Sequence, residues 1–140
     1  MKKNGFTLVE LLAVTVILAV LALITTVIVS DIINSARKKA FETSTMSIYE
    51  AIELDCAENG YTTSQSYTIS GNNITNTTAN PNYTFTYNGK VNNATGSAVV
   101  SYNSTTGNLS IVMELEGSGY CAKNSSNNGK NNFVVTEGDC

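Results

Sequence analysis

Hydrophobic positions fall first into an unbroken run, then into a stripe, then into an alternation. Leu11–Val29 is a run of 19 residues without charge, Gly or Pro, and only Thr15, Thr25 and Thr26 in it are polar. As a helix it spans roughly 28 Å, close to the ~30 Å hydrocarbon thickness of a bilayer. Further on, Phe41, Ile48, Ile52 and Cys56 recur at three- and four-residue steps, with Ala40, Thr45 and Ala51 beside them. That is the stripe of an amphipathic helix, with Glu42, Glu50, Glu53 and Asp55 directed away from it. No Pro interrupts Phe6–Glu58, and the first Gly after Gly5 is Gly60. One continuous helix of about 80 Å is therefore expected, stopped at Asn59-Gly60.

Beyond that stop the period changes to two. Tyr83, Phe85 and Tyr87 alternate with Thr84 and Thr86, and Asn88-Gly89 follows as a turn. Tyr67–Ser70, Ala98–Tyr102, Leu109–Leu115 and Phe133–Thr136 read as further strand candidates, with Gly107 in the loop between the middle pair. The Asn-rich segment Asn124–Asn132 reads as an exposed loop. The fold class is α+β: a long N-terminal α-helix with an apolar first half, its second half packed on a small antiparallel β-sheet of about four strands. The parts are residues 1–5, an apolar helix over 6–30, an amphipathic extension over 31–59 and a sheet head over 60–140.

Composition narrows the chemistry. The chain has 140 residues and a net charge of −3, and its only downstream basic cluster is Arg37-Lys38-Lys39. No basic groove with interleaved aromatics is visible, which argues against nucleic-acid binding. The absence of His removes Ser–His and Cys–His nucleophile systems and His-based metal sites. Cys56, Cys121 and Cys140 lack metal-ligand spacing. Glu50, Glu53, Asp55 and Glu58 crowd the helix end and read as a solvated acidic face, not a catalytic pair. No enzyme activity, metal or cofactor is expected. Triplets such as Asn73-Ile74-Thr75, Asn82-Tyr83-Thr84 and Asn108-Leu109-Ser110 arise readily in an Asn/Thr-rich chain and read as polar surface. A Tyr-rich face (Tyr83, Tyr87, Tyr102) suits sheet packing better than sugar stacking.

The N-terminus raises a question of its own. In Gly5–Leu12, GFTLVELL, Glu10 stands at the edge of the apolar run, where a carboxylate is unfavourable unless paired or able to reach the interface. A secretory signal has a shorter apolar part and a small-residue cleavage site, and a plain anchor gives Glu10 no role. Cleavage after Gly5 does give it one. Phe6 would then carry a new positive amine, and Glu10 lies about one helical turn away, able to meet that amine or a neighbouring chain's.

Lys2-Lys3-Asn4-Gly5 followed by Phe6-Thr7-Leu8-Val9-Glu10-Leu11-Leu12 closely resembles the class III signal of type IV pilins and their pseudopilin relatives. The resemblance is strong over Met1–Val29, looser to about Glu58, and beyond that covers general architecture only. It implies a leader of residues 1–5 removed by a prepilin peptidase after Gly5, N-methylation of Phe6, and Glu10 pairing with a neighbour's N-terminal amine during assembly. It implies a homo-oligomeric helical filament with other pilins as partners, and an inner-membrane assembly platform. Nucleic acid would be contacted only indirectly, in a competence pilus. The chain would be single-pass in the cytoplasmic membrane as a prepilin and then part of an extracellular filament. Without residues 1–5 the side chains sum to a net charge of −5. Many family members carry Pro where this chain has Val27, so a helix kink at that point is not implied here.

The residues alone leave the cysteine pairing open. Cys56 on the stripe suits a buried thiol, and a bridge from it to Cys121 or Cys140 is the rival. The resemblance implies a Cys121–Cys140 pair closing a C-terminal loop. The expected function is a structural subunit of a type IV pilus, serving adhesion, twitching motility, DNA uptake or secretion. A pseudopilin of a type II secretion or competence system is the close alternative, and a single-pass surface binding protein the distant one.

Overall fold

A computed structural model of the protein describes residues 5–87, 89, 93–125 and 132–140, except for the side chains at 25–28. The first element is a 52-residue helix, α1, Leu8–Asn59. Seven strands follow: β1 Gln65–Ser70, β2 Asn73–Asn76, β3 Tyr83–Thr86, β4 Thr95–Tyr102, β5 Leu109–Gly117, β6 Tyr120–Lys123 and β7 Val134–Glu137. The chain divides into two compact units, one up to Arg37 and one from Lys38 to Cys140.

The C-terminal end of α1 is set by its residues. Gly60 takes φ +61°, a left-handed conformation that costs Gly little, and the Tyr61 N–H donates to the Cys56 carbonyl at 3.3 Å. This six-to-one bond is the Schellman motif, and it satisfies a carbonyl the helix leaves open.

All seven strands form one antiparallel sheet in the order β3-β2-β1-β4-β5-β6-β7. The first four make a Greek key, because β4 returns past β2 and β3 to pair with β1. The rest is a meander. The longest ladder joins β4 to β5, from Thr95↔Glu116 to Tyr102↔Leu109. Gly96 lies in it opposite Leu115, and a Cβ there would meet the Glu114 carbonyl oxygen. The backbones approach too closely for a side chain.

The expectation of about four strands is corrected to seven. The strands it lacked are β2, Asn-Ile-Thr-Asn, and β6, Tyr-Cys-Ala-Lys. Neither shows a useful period of two over its four residues. Two-residue turns bring them in. Gly71 has φ +59° in the β1–β2 turn, and Ser118 and Gly119 have φ 55° and 80° in the β5–β6 turn. In the β5–β6 turn, positive φ at both central residues is the type I′ geometry that matches strand twist.

Alternation decides which side chains the sheet buries. Tyr67 and Ile69 of β1, Ala98 and Val100 of β4, and Ile111, Met113 and Leu115 of β5 turn inward. They cover Phe41, Ile48, Ile52 and Cys56 of α1, so the predicted stripe is buried in one hydrophobic core. Each large side chain so buried contributes about 1.5–3 kcal/mol. Phe41 stacks on Tyr120 at 6.0 Å between centroids, and Tyr49 meets Phe133 edge-on at 6.1 Å. Ala40, expected beside the stripe, is exposed, and Tyr49, not expected, is buried.

Two polar residues depart from expectation. Asp55 does not point away from the sheet; it is buried. The Tyr67 hydroxyl donates to it at 2.8 Å and the Tyr83 hydroxyl at 2.6 Å. Those protons are committed, so the Cys56 thiol donates to the Tyr67 oxygen at 3.3 Å and Tyr61 to Tyr83 at 3.0 Å. A buried carboxylate is tolerable because charge-assisted donors surround it. Asn124 is likewise buried, not part of an exposed loop. Its amide accepts from the Met113 N–H at 2.6 Å and donates to the Ile111 carbonyl at 2.9 Å, extending the β5 edge as a peptide would. Ser125 and Asn132 are exposed, and the expected loop's residues 126–131 lie outside the described residues. The expected turn at Asn88-Gly89 also falls partly outside them.

Cys121 and Cys140 are joined by a disulfide, with 5.0 Å between Cα atoms, and Cys56 is a free buried thiol. The bridge fastens the C-terminus beside β5. There the Cys140 N–H donates to Glu116 at 3.3 Å, and Lys123 reaches the Cys140 carbonyl at 3.3 Å and Glu114 at 3.2 Å.

Candidate functional site: the N-terminal segment

The residues singled out at the N-terminus sit in the unit that ends at Arg37. Gly5 and Phe6 precede the helix, and among the described residues nothing lies within 4 Å of the Cβ position of Gly5. Phe6 is 79% exposed. A bond between them is therefore sterically open from the side of this chain.

Glu10 has partners that the sequence reading did not assign. Its carboxylate accepts from the Thr7 N–H at 2.9 Å and from the Thr7 hydroxyl at 2.8 Å. The Glu10 N–H donates back to the Thr7 hydroxyl oxygen at 3.3 Å. This is a capping box: Thr7 is the N-cap, Glu10 is three residues on, and two open donors of the first turn are satisfied reciprocally. The Leu11 N–H to Thr7 carbonyl bond at 3.2 Å begins the helix. The signal that could have found it is Thr7-x-x-Glu10 before an apolar run. The helix N-terminal dipole also favours a negative charge there.

Beyond Glu10 the surface is apolar all round. Leu11, Leu12, Val16, Ile17, Leu18, Val20 and Leu21 are each more than half exposed. This stretch of α1 is long and apolar enough to cross a membrane, with a mean hydropathy of 2.9. Among the described residues this stretch is exposed, and an apolar girdle of that size is ordinarily covered by lipid or by other helices. The segment offers an exposed Phe6 beside the Gly5–Phe6 bond, a carboxylate held one turn further on, and a greasy shaft. Among the described residues no group of His, Cys, Asp and Glu is arranged to hold a metal ion.

The family model described as the prokaryotic N-terminal methylation motif matches residues 1–26. The chain opens with a class III signal of the type IV pilin and pseudopilin kind. That motif implies processing by a prepilin peptidase and assembly with other pilins, and with the long apolar helix it fits a membrane-anchored prepilin. No curated protein and no solved structure matches the chain. In arrangement the chain, a long N-terminal helix followed by an antiparallel sheet, is like type IV pilins, and the methylation motif is what carries the likeness in sequence.

The aromatic residues considered for sugar stacking do not form one face. Tyr83 is engaged with Asp55, Tyr87 is buried, and Tyr102 lies on β4 beside the β4–β5 loop.

Proposed function

We propose that the protein is a structural subunit of a type IV pilus filament. It is made as a membrane prepilin, cut after Gly5 and N-methylated at Phe6. Residues 1–5 are the leader, 6–30 the membrane and filament-core helix, and 60–140 the exposed head. The observation that carries this reading is the methylation motif over residues 1–26, set on a helix whose apolar girdle is exposed. In the free chain the capping box holds the Glu10 carboxylate. In the filament a neighbour's Phe6 amine supplies a full opposite charge to the same oxygens. A pair of unit charges in a low-dielectric surround attracts far more strongly than a neutral hydroxyl can. The girdle then exchanges lipid contacts for helix contacts.

A pseudopilin of a type II secretion or competence system would use the same N-terminal chemistry, and the filament's extent separates the two. Surface filaments sheared from native cells and resolved by mass spectrometry should contain this chain as a main component. Its absence from a sheared fraction, with the processed chain retained in the cell envelope, favours the pseudopilin.

A further inference from the structure

Resting on the filament reading, we infer that Lys38 of one copy docks into a cavity beside β3 on another copy, closing on Glu58. The cavity, about 170 Å³, lies within the head between the second half of α1 and the β3 strand and is lined by Ala51, Leu54, Asp55, Glu58, Phe85 and Thr86. Its walls are mainly apolar, and Leu54, 58% exposed, stands unshielded on one of them. Two carboxylates also line it. Asp55 is already occupied by Tyr67 and Tyr83, whereas Glu58 is exposed and forms no ion pair among the described residues. A largely apolar slot with an unpaired carboxylate in its lining fits a lysine, whose methylene stem takes the walls and whose ammonium takes the acid.

The occupant is a second copy of this chain because the chain carries the complementary charge. Arg37-Lys38-Lys39 is its one run of three cations. Lys39 is committed to Glu42 at 3.0 Å, while Lys38 is exposed and forms no ion pair among the described residues. Helix geometry separates Lys38 from Glu58 by about 30 Å along the axis and about 200° around it. They lie on nearly opposite faces of one helix. Two parallel copies side by side, displaced by about 30 Å, therefore bring Lys38 of one to Glu58 of the other. The contact uses a different patch on each partner and repeats without closing, as an open filament requires. β3 borders the slot and is the outermost strand of the sheet, so a neighbouring copy can approach it. Apolar walls around the ion pair shield it from solvent and raise its value above that of an exposed pair.

The test uses full-length chains in native cells. Filaments from the Lys38→Cys, Glu58→Cys double variant are treated with a short bismaleimide. A ladder of covalent multimers is expected, and neither single variant should give one. In parallel, Glu58→Lys and Lys38→Glu should each lower sheared filament yield roughly tenfold, with the two together restoring most of it. Filaments from the wild type, with no ladder from the double-cysteine variant and no charge-swap rescue, would overturn the docking and leave the filament reading standing. Absence of filaments from the wild type would instead sink the filament reading, and the docking with it.

Discussion

Along α1, side chains of the same chemistry meet opposite fates. Ile17 and Leu21 stand more than half exposed, while Ile48 and Ile52 are wholly buried. Propensity does not separate them, since both stretches are helical. Periodicity does. Up to Val29 apolar residues surround the helix, and one sheet could cover only part of such a girdle. From Phe41 they occupy a single stripe, which the strands cover fully. The chain thus satisfies its second apolar surface internally and leaves the first for other molecules.

If that division holds, changes in the two regions must produce different phenotypes. The largest effect belongs to Glu10→Ala. We expect filament incorporation to be lost while cleavage and the head's unfolding midpoint stay unchanged, as read by sheared-fraction immunoblot and urea titration in detergent. Loss of head stability in that variant would break the comparison. Ile52→Ala should do the reverse, destabilising the head by about 4 kcal/mol through the cavity it leaves. Reducing Cys121–Cys140, which closes a loop of 19 residues' separation, should lower head stability by about 3 kcal/mol on the chain-entropy account. The apolar run should be insensitive to the same reductant. Asp55→Ala should cost about 2 kcal/mol by stranding the hydroxyl of buried Tyr67.

The smallest effect is alkaline. Burial first, then bonds to Cys56 and Asp55, pushes the Tyr67 hydroxyl pKa far up, and burial with the Asp55 bond does the same for Tyr83. Burial raises Cys56 and Tyr49 as well. Groups raised on folding hold their proton more tightly in the folded state, so their contribution is complete below the unfolded value. It falls once the pH rises past roughly 10 for tyrosine. Head stability should be indifferent to these groups near neutral pH and decline above that point. Tyr67→Phe should flatten the decline, as followed by circular dichroism across an alkaline titration.

The features legible in the sequence were those with long repeats. The helix, its girdle, its stripe and the longer strands all show a period over many residues, and the stop at Gly60 shows as a turn residue at the end of that period. The short strands Asn73–Asn76 and Tyr120–Lys123 were illegible because Asn-Ile-Thr-Asn and Tyr-Cys-Ala-Lys lack the clear apolar–polar alternation that marks four-residue β3, and partners rather than propensity make them strands. Asp55 was misread because a carboxylate on a helix is ordinarily solvated, and only the arrival of Tyr67 and Tyr83 from the sheet makes burial affordable. At the N-terminus, Gly5, Phe6 and Glu10 stood out by type and spacing. The hold of Thr7 on Glu10 was legible in Thr-x-x-Glu, the capping-box spacing before an apolar run.

The most direct test of the account is the N-terminus and intact mass of the protein purified from its native cells. The account predicts a chain that begins at Phe6, carries one added methyl group and lacks residues 1–5. A chain that keeps Met1–Gly5 in cells possessing the peptidase would contradict it, since Glu10 would have no new amine to meet and a simple membrane anchor would explain the helix better.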